Sequence, residues 1–185
     1  MKVEATKLKD CFIIHDTVFE DPRGYFFESF NQQRFASNMG LNVSFVQDNQ
    51  SKSTRGVLRG IHFQQGEYAQ AKLVRVLEGS VLDIAVDLRK DSPTFGQWES
   101  VVLTGDNHLQ FFVPRGFGHG FVVLSEVAVF FYKCDNFYNK ASEGGIIYND
   151  PDLNIDWKIN TSEVLLSDKD KTLPTFNEIK NSINF

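Results

Sequence analysis

Residues Val81 to Arg89 (VLDIAVDLR) put Leu82, Ile84, Val86 and Leu88 on one side of an extended chain, with Asp83, Asp87 and Arg89 on the other. A period of two predicts a strand with one buried face. Lys72 to Leu77 (KLVRVL) reads as a second strand, and Glu78-Gly79 between them as a short turn, so the pair is predicted to form a hairpin. Similar apolar runs predict strands at Cys11–Phe19, Ser44–Asp48, Val57–Phe63, Trp98–Leu103, Leu109–Val113, Gly118–Leu124 and Val127–Lys133. Helix is predicted in only two places: Asn31–Met39, which Gly40 would end, and Thr175–Ile183 after Pro174. Roughly nine short strands separated by Gly, Asn, Asp and Pro predict an all-β jelly-roll sandwich with a few short helices. An up-and-down barrel for an apolar ligand fits less well, because too many of the unusual residues are charged. The two facing sheets of a jelly roll leave a funnel in which strand residues can line a pocket.

Composition narrows the function classes. A chain of 185 residues has the size of a single domain. Its formal net charge of −5, with no basic run, argues against general nucleic-acid binding. The 18 Phe among its aromatics suit sheets and a large core. A hydrophobic content of 42% argues against disorder. No apolar run reaches the roughly 18 residues of a membrane span, and Met1 to Asp10 (MKVEATKLKD) has no apolar signal core. Two cysteines, Cys11 and Cys134, are too few for a disulfide scaffold or a thiolate zinc site, which predicts free structural thiols in a cytoplasmic protein.

Four segments carry polar residues that a plain β core does not need: Asp21 to Glu28 (DPRGYFFE), Gln47 to Gln64 (QDNQSKSTRGVLRGIHFQ), Pro114 to Phe121 (PRGFGHGF), and Phe131-Tyr132-Lys133 followed by Tyr138. Six strings follow one another over nearly the whole chain, from about Phe12 to Pro174: DPRGYFFESFNQQ (Asp21 to Gln33), FVQDNQSKS (Phe45 to Ser53), VLRGIHFQ (Val57 to Gln64), VDLRKDSPTFGQW (Val86 to Trp98), PRGFGHGF (Pro114 to Phe121) and LSDKD (Leu166 to Asp170). In these strings the sequence resembles the dTDP-4-dehydrorhamnose 3,5-epimerases, sugar-nucleotide isomerases of the cupin (jelly-roll) class. The resemblance implies conversion of dTDP-4-dehydro-6-deoxy-D-glucose to dTDP-4-dehydro-L-rhamnose in dTDP-L-rhamnose biosynthesis.

Such a reaction sets its own requirements. A ketone at C4 acidifies the protons on C3 and C5. Inversion needs a base on one face, an acid on the other, and a cation or donors for the enolate oxygen between them. No redox cofactor or metal is chemically required. His62 is the base candidate, since a neutral imidazole can take a proton and return it near neutral pH. A lone His beside Ile61 and Phe63 is also, commonly, a satisfied core residue. The resemblance pairs it with Asp170 rather than Asp168, and assigns the acid to Tyr132. Lys72 shares strand parity with Val74 and Val76, so its ammonium can point inward to steady the enolate. By resemblance His119 lines the sugar pocket. Arg59 and Arg23 are the diphosphate candidates, because guanidinium forks match phosphate oxygens, with Gln47, Asn49 and Ser51 as polar support. Glu28 and Tyr138 map to the nucleoside end, where Tyr138, Phe26 or Phe19 can stack on the base. Arg115 follows Pro114 and reads equally as a solvated charge.

One tension is internal to this reading. On an ideal strand Arg59 and His62 face opposite ways. A bulge at Gly60, service to a neighbouring subunit's site, or reach round a strand edge would each reconcile them. Metal-binding cupins usually show a His-x-His pair; here Phe63 and Gln64 follow His62, so no catalytic metal is expected. Two other functions compete: an epimerase restricted to C3 or to another nucleotide sugar, and a non-catalytic sugar-binding jelly roll. The resemblance also implies a homodimer, in which the segment holding Arg23 and Phe26 crosses to close a partner's site.

Overall fold

A computed structural model describes residues 1–185. The chain forms strands β1 (Lys2–Ala5), β2 (Phe12–His15), β3 (Phe19–Asp21), β4 (Gly24–Phe26), β5 (Gln47–Thr54), β6 (Leu58–Gln64), β7 (Lys72–Glu78), β8 (Ser80–Asp87), β9 (Trp98–Thr104), β10 (Leu109–Val113), β11 (Phe117–Val123), β12 (Val127–Cys134) and β13 (Glu143–Gly145). Helix α1 (Gln32–Met39) lies between β4 and β5, and α2 (Phe176–Ile179) lies near the C-terminus. Six strands pair in the order β1-β2-β10-β7-β12-β5, and five in the order β13-β6-β11-β8-β9. Their inner faces share one core, with Val74, Val76, Phe111 and Phe130 meeting Val81, Ala85, Phe121 and Val123. This is the jelly-roll, cupin-like sandwich that the strand pattern predicts.

Both outer faces are covered as well. Leu82, Ile84, Val86 and Leu88 pack under Leu153, Trp157, Phe176 and Ile183 of the C-terminal segment. Strand β8 is therefore buried on both sides, not on one. Asp83 and Asp87, expected on a solvated face, are 0% exposed. On the other sheet, Ile14, Leu73 and Phe112 are covered by Phe35 and Met39 of α1. That helix starts where the Asn31 side chain accepts from the Arg34 amide and stops at Gly40, whose φ of 64° suits glycine.

Three strand expectations need correction. Cys11–Phe19 is not one strand: β2 ends at His15 in the six-stranded sheet, and Phe19 opens β3, which pairs only with β4. β7 and β8 do not form a hairpin. β7 pairs with β10 and β12 in one sheet, while β8 pairs with β11 and β9 in the other. The chain crosses between sheets at Gly79, where φ is 76° and an added Cβ would collide with the Val127 carbonyl. The strand expected at Ser44–Asp48 instead runs Gln47–Thr54. Along it Gln47, Asn49, Ser51 and Ser53 are the less exposed residues and Asp48, Gln50, Lys52 and Thr54 the exposed ones. Its sheltered face is polar because it borders a cavity. Both cysteines are free and buried. No helix is long and apolar enough to cross a membrane.

Candidate active site

The site is organised by a bulge. On β6 and β11, His62 pairs with His119 and Arg59 with Phe121, so Gly60 and Ile61 together oppose the single residue Gly120. Gly60 has φ 125°, and a Cβ there would stand 2.5 Å from the Gly120 Cα and 2.8 Å from the His119 carbonyl oxygen. Only glycine fits this conformation and this approach. The extra residue resets the alternation, and Arg59 and His62 both line one cavity of about 610 Å³. Of the three ways to reconcile them, the chain uses the bulge.

Tyr132, Lys72, His119, Asn49 and Ser51 line the same cavity, and the segment from Leu165 to Asp170 borders it. His62 Nε2 lies 2.5 Å from Asp170 Oδ1, and Asp170 Oδ2 accepts from the Ser167 hydroxyl at 2.9 Å. Burial alone would raise the Asp170 carboxyl, but the His62 and Ser167 bonds outweigh it and hold the group below the usual range. It therefore stays an anion that can orient the imidazole. Asp168, by contrast, is fully exposed and pairs with Lys171.

Tyr132 is pushed upward, first by burial and then by the neighbouring Cys134, so its phenol holds its proton. The Lys72 ammonium sits 5.8 Å from the Tyr132 ring centroid. Burial lowers the Lys72 pKa; Cys134, Asp83 and Glu143 oppose that shift. Arg59 is exposed and donates to the Ser53 hydroxyl at 3.2 Å. His119 is 7% exposed and meets the buried carboxylate of Asp83.

A smaller adjoining cavity, about 170 Å³, shares Asn49, His62, Lys72 and Tyr132 with the first and adds Gln47 and Tyr138. Gln47 donates to Asn49 Oδ1 at 3.1 Å and accepts from the Tyr138 amide at 3.3 Å. The Tyr138 hydroxyl donates to Glu143 at 3.0 Å, and Lys169 Nζ meets the same carboxylate at 2.5 Å.

Glu143, Lys169, Ser167 and Asp83 thus join the residues that the sequence pattern points to. Lys169 sits between the two Asp residues weighed in LSDKD. Asp83 alternates with Ala85 on a strand whose other face is wholly apolar. No group of three or more His, Cys, Asp or Glu side chains is arranged to hold a metal ion.

Three expected substrate residues lie elsewhere within the chain. Arg23 and Phe26 belong to the β3–β4 hairpin, with Arg23 paired to Asp21 and Phe26 72% exposed. Glu28 pairs with Arg34. Phe19, Phe26 and Glu28 border a separate cavity floored by Leu73 and Gln110. Those two floor residues have the parity opposite to Lys72 and Phe111, so this cavity is on the far side of the six-stranded sheet. Arg115 pairs with Asp135, away from the site.

A jelly roll whose inner cavity gathers an imidazole–carboxylate pair, a buried phenol and a lysine defines an isomerase of the cupin class. More particularly, the chain belongs to the dTDP-4-dehydrorhamnose 3,5-epimerase family, whose model matches residues 5–178. It is similar to the dTDP-4-dehydrorhamnose 3,5-epimerase of Escherichia coli K12, at 51% identity over 97% of this chain and 96% of that one. The crystal structure of the Elizabethkingia anophelis dTDP-4-dehydrorhamnose 3,5-epimerase superposes with a TM-score of 0.93 at 61% identity, covering 96% of this chain and 97% of that one. That of the Legionella pneumophila dTDP-6-deoxy-D-glucose 3,5-epimerase, in complex with dTDP-4-keto-L-rhamnose, gives 0.93 at 47% identity, covering 96% and 94%.

Proposed function

We propose that this cavity inverts C3 and C5 of dTDP-4-dehydro-6-deoxy-D-glucose, giving dTDP-4-dehydro-L-rhamnose. The observation that carries the reading is that the Asp170-held His62 and the protonated Tyr132 open into one cavity with Lys72. Asp170 accepts from His62 Nε2–H, which leaves Nδ1 free to take the proton from C3 or C5. The electron pair moves onto the C4 oxygen, where the Lys72 ammonium stabilises the enolate. Tyr132 delivers a proton to the opposite face of the same carbon. Each inversion leaves an imidazolium and a phenolate, and proton exchange with water restores both. Solvent hydrogen therefore enters the product at every inverted carbon.

In this reading Arg59 takes the diphosphate, with Asn49 and Ser51 as polar support from the same cavity wall, and Gln47 and Tyr138 in the adjoining cavity take the nucleoside end. Arg23, Phe26 and Glu28 lie across the sheet from their own cavity, and the hairpin exposes Phe19, Tyr25 and Phe26. In this reading the chain forms a homodimer in which these residues complete the partner's site.

The test is turnover of the 4-keto sugar in D₂O, read by NMR. Deuterium at both C3 and C5 supports the double epimerase. Label at C3 alone would indicate a C3 epimerase, and tight binding with no exchange would indicate a binding protein.

A further inference from the structure

Asp83 is wholly buried, and the mechanism above gives it no task. It projects from β8 into the inner face of the sandwich, in register with Phe121 and Val101 on the flanking strands. A carboxylate there is costly unless something answers it. Its hydrogen bonds go to one atom only: His119 Nε2 lies 2.9 Å from Oδ1 and 3.1 Å from Oδ2. The charged and titratable groups that face this pair are Lys72, His62 and the buried thiol of Cys11. His119 is in register with His62 across β6 and β11, and its ring packs 6.2 Å from that of Phe130.

We propose that Asp83 is a positioning residue: it fixes His119 as the Nε2–H tautomer, so that Nδ1 accepts a hydrogen bond from a ring hydroxyl of the bound hexose. A carboxylate accepts only, so the nitrogen facing it carries the hydrogen and the other nitrogen keeps its lone pair. His119 lines the cavity, and with Nε2 turned to Asp83 the proposal gives the Nδ1 lone pair to the sugar. Burial lowers the His119 pKa, which favours a neutral imidazole with Nδ1 free of a proton; it also raises the Asp83 carboxyl, which the facing His119 and Lys72 oppose. The wall of the site is thereby divided. His62 exchanges protons with carbon, whereas His119 holds one tautomer through the cycle and keeps the ring oriented between His62 and Tyr132.

This inference rests on the epimerase reading for its ligand but not for its tautomer, which NMR reads directly. In ¹⁵N-labelled protein, with the His119 resonances assigned from His119→Gln, long-range ¹H–¹⁵N spectra are expected to show a protonated Nε2 and a bare Nδ1. Asp83→Asn is expected to change that pattern and raise KM for the dTDP-hexose about tenfold, the worth of one neutral hydrogen bond, while leaving the Kd for dTDP alone unchanged. In a His119→Gln background Asp83→Asn is expected to add no further rise in KM.

A protonated Nδ1 in the unmodified protein would overturn the proposal, because Asp83 would then be the donor. Equal losses for Asp83→Asn with and without His119 would overturn it too, by showing a role that does not pass through His119. Absence of deuterium incorporation by the unmodified protein would remove the epimerase reading and the hexose ligand with it, whatever the tautomer.

Discussion

Arg59 and His62 line one cavity although an ideal strand would turn them to opposite faces. What joins them is Gly60, held at φ 125° against the Gly120 backbone. Gly60→Ala would force a Cβ into that contact and strain the backbone. The expected result is a loss of about 2–4 kcal/mol in denaturant unfolding. In whatever protein remains folded, kcat/KM is expected to fall by at least a hundredfold, because the guanidinium and the imidazole no longer meet one ligand. Retention of wild-type activity and stability would mean that the bulge is dispensable.

His62 and Tyr132 are expected to separate two observables. His62→Ala should abolish solvent exchange at both carbons while leaving dTDP binding, measured by calorimetry, largely intact. Tyr132→Phe removes only a hydroxyl, so deprotonation by His62 continues and completed inversion falls further than exchange, by roughly a hundredfold or more. The pH profile carries a matching signature. Burial raises the Tyr132 pKa, and an acid works only while protonated. Its alkaline limit is therefore expected above the ordinary phenol value of about 10. A loss of turnover near pH 8 that vanishes in Tyr132→Phe would contradict this assignment.

Mixed subunits test whether Arg23 serves a partner. Arg23→Ala retains His62, and His62→Ala retains Arg23. If Arg23 completes the other chain's cavity, each variant alone is impaired, but a heterodimer has one cavity with both residues intact. Random reassortment after mild denaturation would then restore about a quarter of wild-type activity at low substrate. No restoration would place Arg23 with its own chain, or outside the reaction.

The jelly roll was legible because alternating apolar runs such as Leu82 to Leu88 or Leu109 to Val113 are strong local signals. Pairing was not. Glu78-Gly79 looks like a hairpin turn, yet nothing local tells a turn within a sheet from a corner between sheets. β5 escapes the pattern for a different reason: its sheltered residues are Gln47, Asn49, Ser51 and Ser53, so an apolar-face criterion misses it. Among site residues, His62, Tyr132, Lys72, Asp170, Arg59 and His119 meet in one cavity, largely as the family strings imply. Asp83 was hidden because an acidic residue on a strand normally faces water, and burial of the second face of β8 depends on a sheet formed by distant segments. The polar string from Asp21 to Glu28 stands out in the sequence, but the place of Phe26 and Glu28 across the sheet depends on tertiary packing.

Asp87 governs stability rather than chemistry. Fully buried, it accepts from Arg89 Nε at 3.0 Å, from Arg89 Nη2 at 2.9 Å, and from the Ser92 and Thr94 hydroxyls at 2.6 Å each. Arg89 in turn reaches Asp10 at 2.9 Å and the Lys9 carbonyl at 2.8 Å, so one carboxylate ties the β8–β9 loop to the N-terminal segment. Burial would raise its pKa, but these donors prevail and lower it. A carboxyl lowered on folding stabilises the fold above its unfolded pKa of about 4, and that contribution fades as pH falls through the folded value. Asp87→Ala removes it and strands several donors, with an expected loss of about 3 kcal/mol at pH 7. For a chain of this size that corresponds to a fall in Tm of roughly 6–12 °C. Acidification is expected to close the gap: melting curves of the two proteins should converge as pH drops below about 4. A gap that stays constant down to pH 2 would show that lost packing, not the carboxylate's charge, carries the effect.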